Sequence, residues 1–576
     1  MKRLEAFCEE AASLLLTAYL FIMFCMFPFY LRNGYLEVGK EKYHFYKAVT
    51  VGGFGLIIPL VFVCMVCHFM NRKKNRKRNG EAREKPAARE QDGTTETKGE
   101  AAERSENEDG EEIRNPAAGW LGKLSVTDWA ALAYGLSVVL SYLGSEYKQM
   151  AFTGEDGWYM GAAMQIVFVL SYFLISRFWE YEENMLFPFM GAAGAVFLLG
   201  VLNRFSIYPL VIKGAENTSF LSTMGNINWY SGYWAVLFPI GIVLYWKAEK
   251  WWFRLAGMLF TALGIATGVS QGSNSAFIVL TALYVFLFCI SFCSTKAMRR
   301  FFALGILFCA VCQGLRLWRL RLPAAYNYYQ GSFSDWITLT RATFAGLLLC
   351  LVLYLALWAA ERRLQLDVRK FKAIRQAMVL TAVIAVGVYL FLLALNSNIK
   401  DGIRFMGEVS ALRFDQQWGS ARGATWSAGV QVYRNIPGLK KLIGVGPDCF
   451  ASFLYTIPDL AKAMNKQFDG ARLTNAHNEW LNALVNTGIF GLLSYGGIFT
   501  SAVVRFVSYG EKAARGKGKY LCIFGFSAFA YTVHNVVSFQ QILSTPFVFL
   551  MLGMGECLMR MEKRKTEDGV KESKES

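Results

Sequence analysis

The sequence predicts an all-α, polytopic integral membrane protein with one large extracytoplasmic loop domain, and three observations predict it. Of 576 residues, 54% are apolar, 15% aromatic and only 18% charged, where an average soluble domain is about 25% charged. Fourteen stretches approach the roughly 20 mostly apolar residues that cross a bilayer core: 11–31, 48–70, 126–144, 159–177, 185–203, 231–247, 253–270, 275–293, 300–315, 342–360, 377–395, 484–504, 519–538 and 545–560. Basic clusters recur on alternate connections, at 72–78, Lys247–Lys250, Lys296–Arg300, Arg362–Lys372 and Arg505–Lys519, and short basic loops stay in the cytoplasm. This composition excludes a soluble globule, a disulfide-stapled secreted domain and a disordered chain. The net charge of +17 is divided between two membrane faces, so the bilayer is the implied partner and nucleic acid is not.

Taken in order, 1–70 holds the first two spans. The first lacks a small-residue cleavage site and is not a removable signal. Residues 71–123 form a charged insertion. Its 71–115 portion carries twelve basic and twelve acidic residues and no aromatic one, which reads as a disordered cytoplasmic spacer whose basic front edge lies on anionic headgroups. Spans three to eleven occupy 124–395, of which 300–315 is short and runs into Arg316, Arg319 and Arg321. Region 396–483 is the large extracytoplasmic loop. It has ten basic and seven acidic residues with Trp418, Trp426, Phe450, Phe453 and Tyr455, enough apolar material to fold. Spans twelve to fourteen follow in 484–560, and 561–576 is a cytoplasmic tail on the same side as the N-terminus.

Of twelve cysteines, only Cys449 falls in an outward loop, so no disulfide framework is expected. The pairs Cys64/Cys67, Cys289/Cys293 and Cys309/Cys312 sit in spans as small apolar residues. The histidines are His44, His68, His477 and His534, too scattered for a zinc site. No metal and no cofactor is expected.

The densest polar constellation begins at Thr474-Asn475-Ala476-His477-Asn478-Glu479. Thr474 or Asn475 is a natural N-cap, which places His477 in a first helical turn. The positive end of the helix dipole then keeps its imidazole neutral and able to accept a proton. Upstream, Arg422 lies between Gly419 and Gly423, where glycine permits close backbone approach and guanidinium offers a bidentate fork for phosphate oxygens. Arg404, Arg413 and Arg472 could join that cradle, or pair with Asp401, Asp415 and Asp469. Gly444 and Gly446, in Ile443-Gly444-Val445-Gly446-Pro447, are further candidate substrate-binding positions. Asn226, Asn228 and the turn Ser270-Gln271-Gly272 present amides and hydroxyls suited to sugar hydroxyls, although short interfacial turns carry the same residues. His534 reads as a buried histidine bonded to a neighbouring helix.

The ordered set Gly225-Asn226-x-Asn228, a Ser/Gly turn, Gly423-x-x-Trp426, Gly444-x-Gly446-x-x-x-Phe450, His477-Asn478 and Gly488-x-x-Gly491 resembles the O-antigen ligase/polysaccharide polymerase superfamily over roughly 220–500. The resemblance implies a metal-independent, inverting glycosyltransferase in the bacterial plasma membrane. Its donor would be an undecaprenyl-diphosphate-linked glycan, and its acceptor a hydroxyl on a saccharide, glycolipid or protein at the outer face. It also implies that His477 activates that hydroxyl, that Arg422 binds the diphosphate, and that Asn478, Glu479 and the residues named above line the substrate site. Family members commonly have Ser-Arg-Gly where this chain has Ser270-Gln271-Gly272, so Arg316, Arg319 or another arginine would substitute. Polymerisation and protein O-glycosylation use nearly the same residues. A flippase or exporter would instead show midspan charges and internal repeats; few charges and no repeat are found.

Overall fold

The computed structural model describes residues 1–83, 124–327, 333–398, 409–513 and 516–575. Among the described residues it is mostly helical, with one hairpin of two-residue strands pairing Phe220–Leu221 antiparallel to Gly225–Asn226. Among the described residues, eleven helices are long and apolar enough to cross a membrane. The expected spans at 159–177, 519–538 and 545–560 are also helical, as Ala162–Phe178, Leu521–His534 and Thr545–Glu575, but stand outside those eleven. By length and apolarity alone, eleven of the fourteen expected spans are matched among the described residues.

Local chemistry sets the helix ends. Val126–Gly144 starts at a capping box, with Ser125 and Asp128 each satisfying the other's backbone N–H. The short apolar stretch at 300–315 is the middle of a longer helix, Thr295–Arg321, capped by the Ser294 hydroxyl. Its basic end is tolerated because Arg319 pairs with Asp335 at 2.5 Å. The helix Val38–Arg83 runs beyond Asn71 into the stretch expected to be disordered. Lys, Arg and Glu there are good helix formers, and the first proline is Pro86. Residues 84–123 lie outside the described residues.

Ile227–Lys247 is the most enclosed of the apolar spans. It is broken into Ile227–Leu237 and Pro239–Lys247, because proline has no N–H to continue the ladder. Neighbours approach it closely through glycine: a methyl at Gly264 would lie 2.3 Å from the Phe238 ring.

The large loop folds, as its composition predicts. Helices Trp418–Asn435, Lys440–Ile443, Phe450–Leu454 and Pro458–Gln467 enclose a separate small core that includes Ala428, Val432, Phe450, Leu454, Leu460 and Val485. The buried carboxylate of Asp448 ties this unit to the membrane helices, its Oδ2 accepting from the N–H of Glu155 (2.8 Å) and Met160 (3.0 Å). Beyond Leu521–His534 the chain does not turn tightly. Residues 535–544 form an irregular crossover with Asn535, Ser538, Gln540, Gln541 and Ser544 all buried.

Candidate active site

Three consecutive residues with positive φ, Gly419 (61°), Ser420 (61°) and Ala421 (66°), lead into Arg422. Such conformations are costly for residues with a Cβ and persist where surrounding structure enforces them. Here they turn the Gly419 carbonyl back to accept from Arg422 Nη1 at 2.7 Å. The other edge of the guanidinium is clamped on the crossover: Nε and Nη2 both donate to the Val537 carbonyl, at 3.1 and 3.0 Å. The fork is thereby fixed, with one N–H on each of Nη1 and Nη2 not used by these bonds. Partial burial also lowers the Arg422 pKa below its usual value.

His477 is not in a helix. Asn478 is the N-cap, its Oδ1 accepting from the Leu481 N–H at 3.1 Å, and the helix is Glu479–Asn486. Asn475 instead turns the chain before it by accepting from the His477 N–H (3.0 Å), and His477 takes φ +50°. Its ring packs edge-on against Phe539, centroids 5.3 Å apart, and its buried Nδ1 makes no hydrogen bond. Burial first and the Arg422 charge second bring its pKa down to about 4, in place of the helix dipole expected from sequence.

His477 and Arg422 thus converge on one crossover, Arg422 through Val537 and His477 through Phe539. Glu479 brackets the same segment. Its N–H donates to the Asn535 carbonyl (2.9 Å) and its Oε2 accepts from the Gln540 N–H (2.7 Å). Its carboxyl is almost fully buried, and desolvation pushes its pKa up to about 8. His534 lies at the crossover's start. It is buried, but neither ring nitrogen makes a hydrogen bond, so the expected bond to a neighbouring helix is absent. Its Nε2 sits 3.0 Å from where a methyl at Gly232 would lie.

Residues 336–496 match the O-antigen ligase family model, Wzy_C. The match supports the O-antigen ligase superfamily, and it spans the candidate acid–base and cationic groups His477 and Arg422. No curated protein matches the chain.

Within the ligase-matching segment, Gly423 serves packing, since a methyl there would lie 1.8 Å from the Asp415 carbonyl oxygen. Gly444 (φ +79°) and Gly446 (φ +127°) form a strap whose N–H of residue 446 donates to the Asn486 carbonyl at 3.0 Å. Both glycines are pressed against protein rather than facing open space. Arg413 pairs with Asp415 (3.8 Å) where both side chains are exposed, and the half-exposed Arg472 pairs with the buried Glu155 (3.6 Å); Arg404 lies outside the described residues.

N-terminal to the ligase match, Asn226 caps Ile227–Leu237 by accepting from the Asn228 N–H (2.9 Å), and Asn228 accepts from Ser273 at 2.9 Å. The Asn-x-Asn motif and the Ser/Gly turn are therefore brought together. Gln271 Oε1 accepts from Ser231 (2.9 Å), while its Nε2 is buried without a partner. The arginine nearest this turn is Arg204, which sequence reasoning did not single out. It is fully buried and donates to the carbonyls of Ser270 (3.1 Å) and Gln271 (2.5 Å). Arg319 is engaged by Asp335 and Thr338, whereas the Nε of Arg316 is buried without a partner.

Two concavities are lined in part by residues of the Asn475–Trp480 stretch. One is a small polar cavity of about 20 Å³ lined by Trp158, Asp448, Asn475, Glu479 and Gln540 among others. The other is a mostly apolar groove of about 620 Å³ running from Asn478 past Trp426, Val430 and Trp480 to Leu484 and Leu492. The crossover's role, Asp448 and Arg204 escaped sequence reasoning. The signal available was the polar run Asn535, Ser538, Gln540, Gln541 and Ser544 between two apolar spans.

Proposed function

We propose that this protein, an O-antigen ligase-like glycosyltransferase, transfers a glycan from an undecaprenyl-diphosphate carrier to an acceptor hydroxyl at the outer face of the bacterial plasma membrane. The observation that carries the reading is a neutral imidazole and a clamped guanidinium held over one crossover, beside an apolar groove that suits a polyprenyl chain. The acceptor oxygen bonds to the anomeric carbon as that carbon's bond to the diphosphate oxygen breaks. His477 takes the hydroxyl proton, an effect of about 10²–10⁴-fold. Negative charge grows on the departing diphosphate, and the remaining N–H groups of Arg422 bind it more strongly in the transition state than in the ground state. Direct displacement inverts the anomeric centre and asks no metal of the protein.

His477→Ala is expected to abolish transfer in a protein that still inserts, with unused donor accumulating on the outer leaflet. Accumulation confined to the inner leaflet would instead favour a flippase. Arg422→Lys should be nearly as damaging as Arg422→Ala, because a lysine cannot hold Val537 and Gly419 while offering a fork. Wild-type transfer in the lysine variant would refute the diphosphate cradle. The product carries the remaining distinction: a glycan on a glycolipid or wall polymer marks a ligase, a longer glycan a polymerase, a modified hydroxyl side chain a protein glycosylase.

A further inference from the structure

We infer that Glu479 is a positioning residue for Arg422, acting through the crossover rather than by touching substrate. Residue 479 grips the segment at two places, its N–H on the Asn535 carbonyl at 2.9 Å and its Oε2 on the Gln540 N–H at 2.7 Å. Between those points lies Val537, whose carbonyl receives Nε and Nη2 of Arg422 at 3.1 and 3.0 Å. The crossover has no helical ladder of its own across 538–541, so its backbone N–H groups need side-chain acceptors, and Gln540 finds one only in Glu479 among the bonds described. The carboxyl is 6% exposed, too enclosed to meet a glycan directly. Asn482 adjoins it as a further donor, and Asn482 in turn accepts from the Ala476 N–H at 2.8 Å. The same residue thus steadies the loop that presents His477. Removing the carboxyl leaves the Gln540 N–H unpaired in a buried site, frees the Val537 carbonyl to shift, and lets the guanidinium leave the diphosphate position.

The inference has a structural arm and an activity arm, and only the second rests on the transfer reading. In the full-length protein in nanodiscs, Glu479→Ala should speed amide hydrogen exchange across 535–541, and Glu479→Gln, which keeps one acceptor oxygen, should restore most of the protection. Unchanged exchange in the alanine variant overturns the inference whatever the enzyme does. In the transfer assay, Glu479→Ala should raise the KM for the lipid-linked donor, with kcat/KM falling by about 100-fold as expected for misplacement of a binding group by about 1 Å. In an Arg422→Ala background it should add no further rise in donor KM, since the two residues act as one unit. Multiplying losses, or an unchanged donor KM in the single variant, would also overturn it. If His477→Ala proves fully active, the transfer reading falls while the exchange result still decides the role of Glu479.

Discussion

At His477, burial and the Arg422 charge together hold the imidazole neutral far below its ordinary range, to about 4. The sign is that of a base whose pKa is lowered: the proton is absent above about 4 and returns only below it. On the proposed reading, the transfer rate should therefore persist on acidification to about pH 4 rather than falling near the ordinary histidine value of about 6.5. A pH profile of kcat/KM on intact protein checks this; an acid limb near 6.5 would show that the ring is solvated in the working enzyme. The residue types were legible from sequence, because a base and a fork for phosphate are matters of side-chain chemistry. The sequence pointed to a helix dipole acting on His477, whereas in the structure burial acts on it. A helix dipole can be read from a capping pattern, whereas desolvation depends on Phe539, which is distant in the chain.

Among the elements, the glycine strap carries the clearest consequence. Gly446 has φ +127°, and a methyl there would meet Ser145 Oγ at 2.4 Å and Cys449 Sγ at 3.0 Å. Gly446→Ala should lower the thermal midpoint of the purified protein by at least as much as other strained glycine replacements, about 1 kcal/mol or more, with donor affinity affected only through loss of folded protein. A variant with an unchanged midpoint but weakened donor binding would instead support a direct substrate contact. Sequence pattern marked Gly444-x-Gly446 as a glycine motif. It did not show what pressed on it. The helix starts three or four residues later than expected for a related reason: Thr474, Asn475 and Asn478 are all competent caps, and Asn475 is used to turn His477.

Across the whole molecule, the folded loop is joined to the membrane helices by buried polar anchors, among them the carboxylate of Asp448. It takes two backbone N–H groups of the 155–160 loop, and desolvation raises its pKa to about 6. Asp448→Ala leaves both donors unpaired, at about 1–3 kcal/mol each. Proteolysis of membrane vesicles should then cut the 440–475 region faster than in the parent protein, while the helix bundle stays protected. Equal cleavage rates would show that the apolar contacts around Phe450 and Leu454 hold the loop unaided.

The sequence by itself determined the all-α membrane class, most helix positions, the folding of the large loop and the identity of its chemically capable residues. These follow from apolar length, hydrophobic content and side-chain type, which are local properties. Only the tertiary structure decided that Arg422 and His477 meet over residues 535–541, that Glu479 grips both ends of that segment, and that the conspicuous glycines serve packing. Hydrogen bonds and burial between residues 51 to 115 positions apart are set by how the elements dock, and no periodicity along a chain records that.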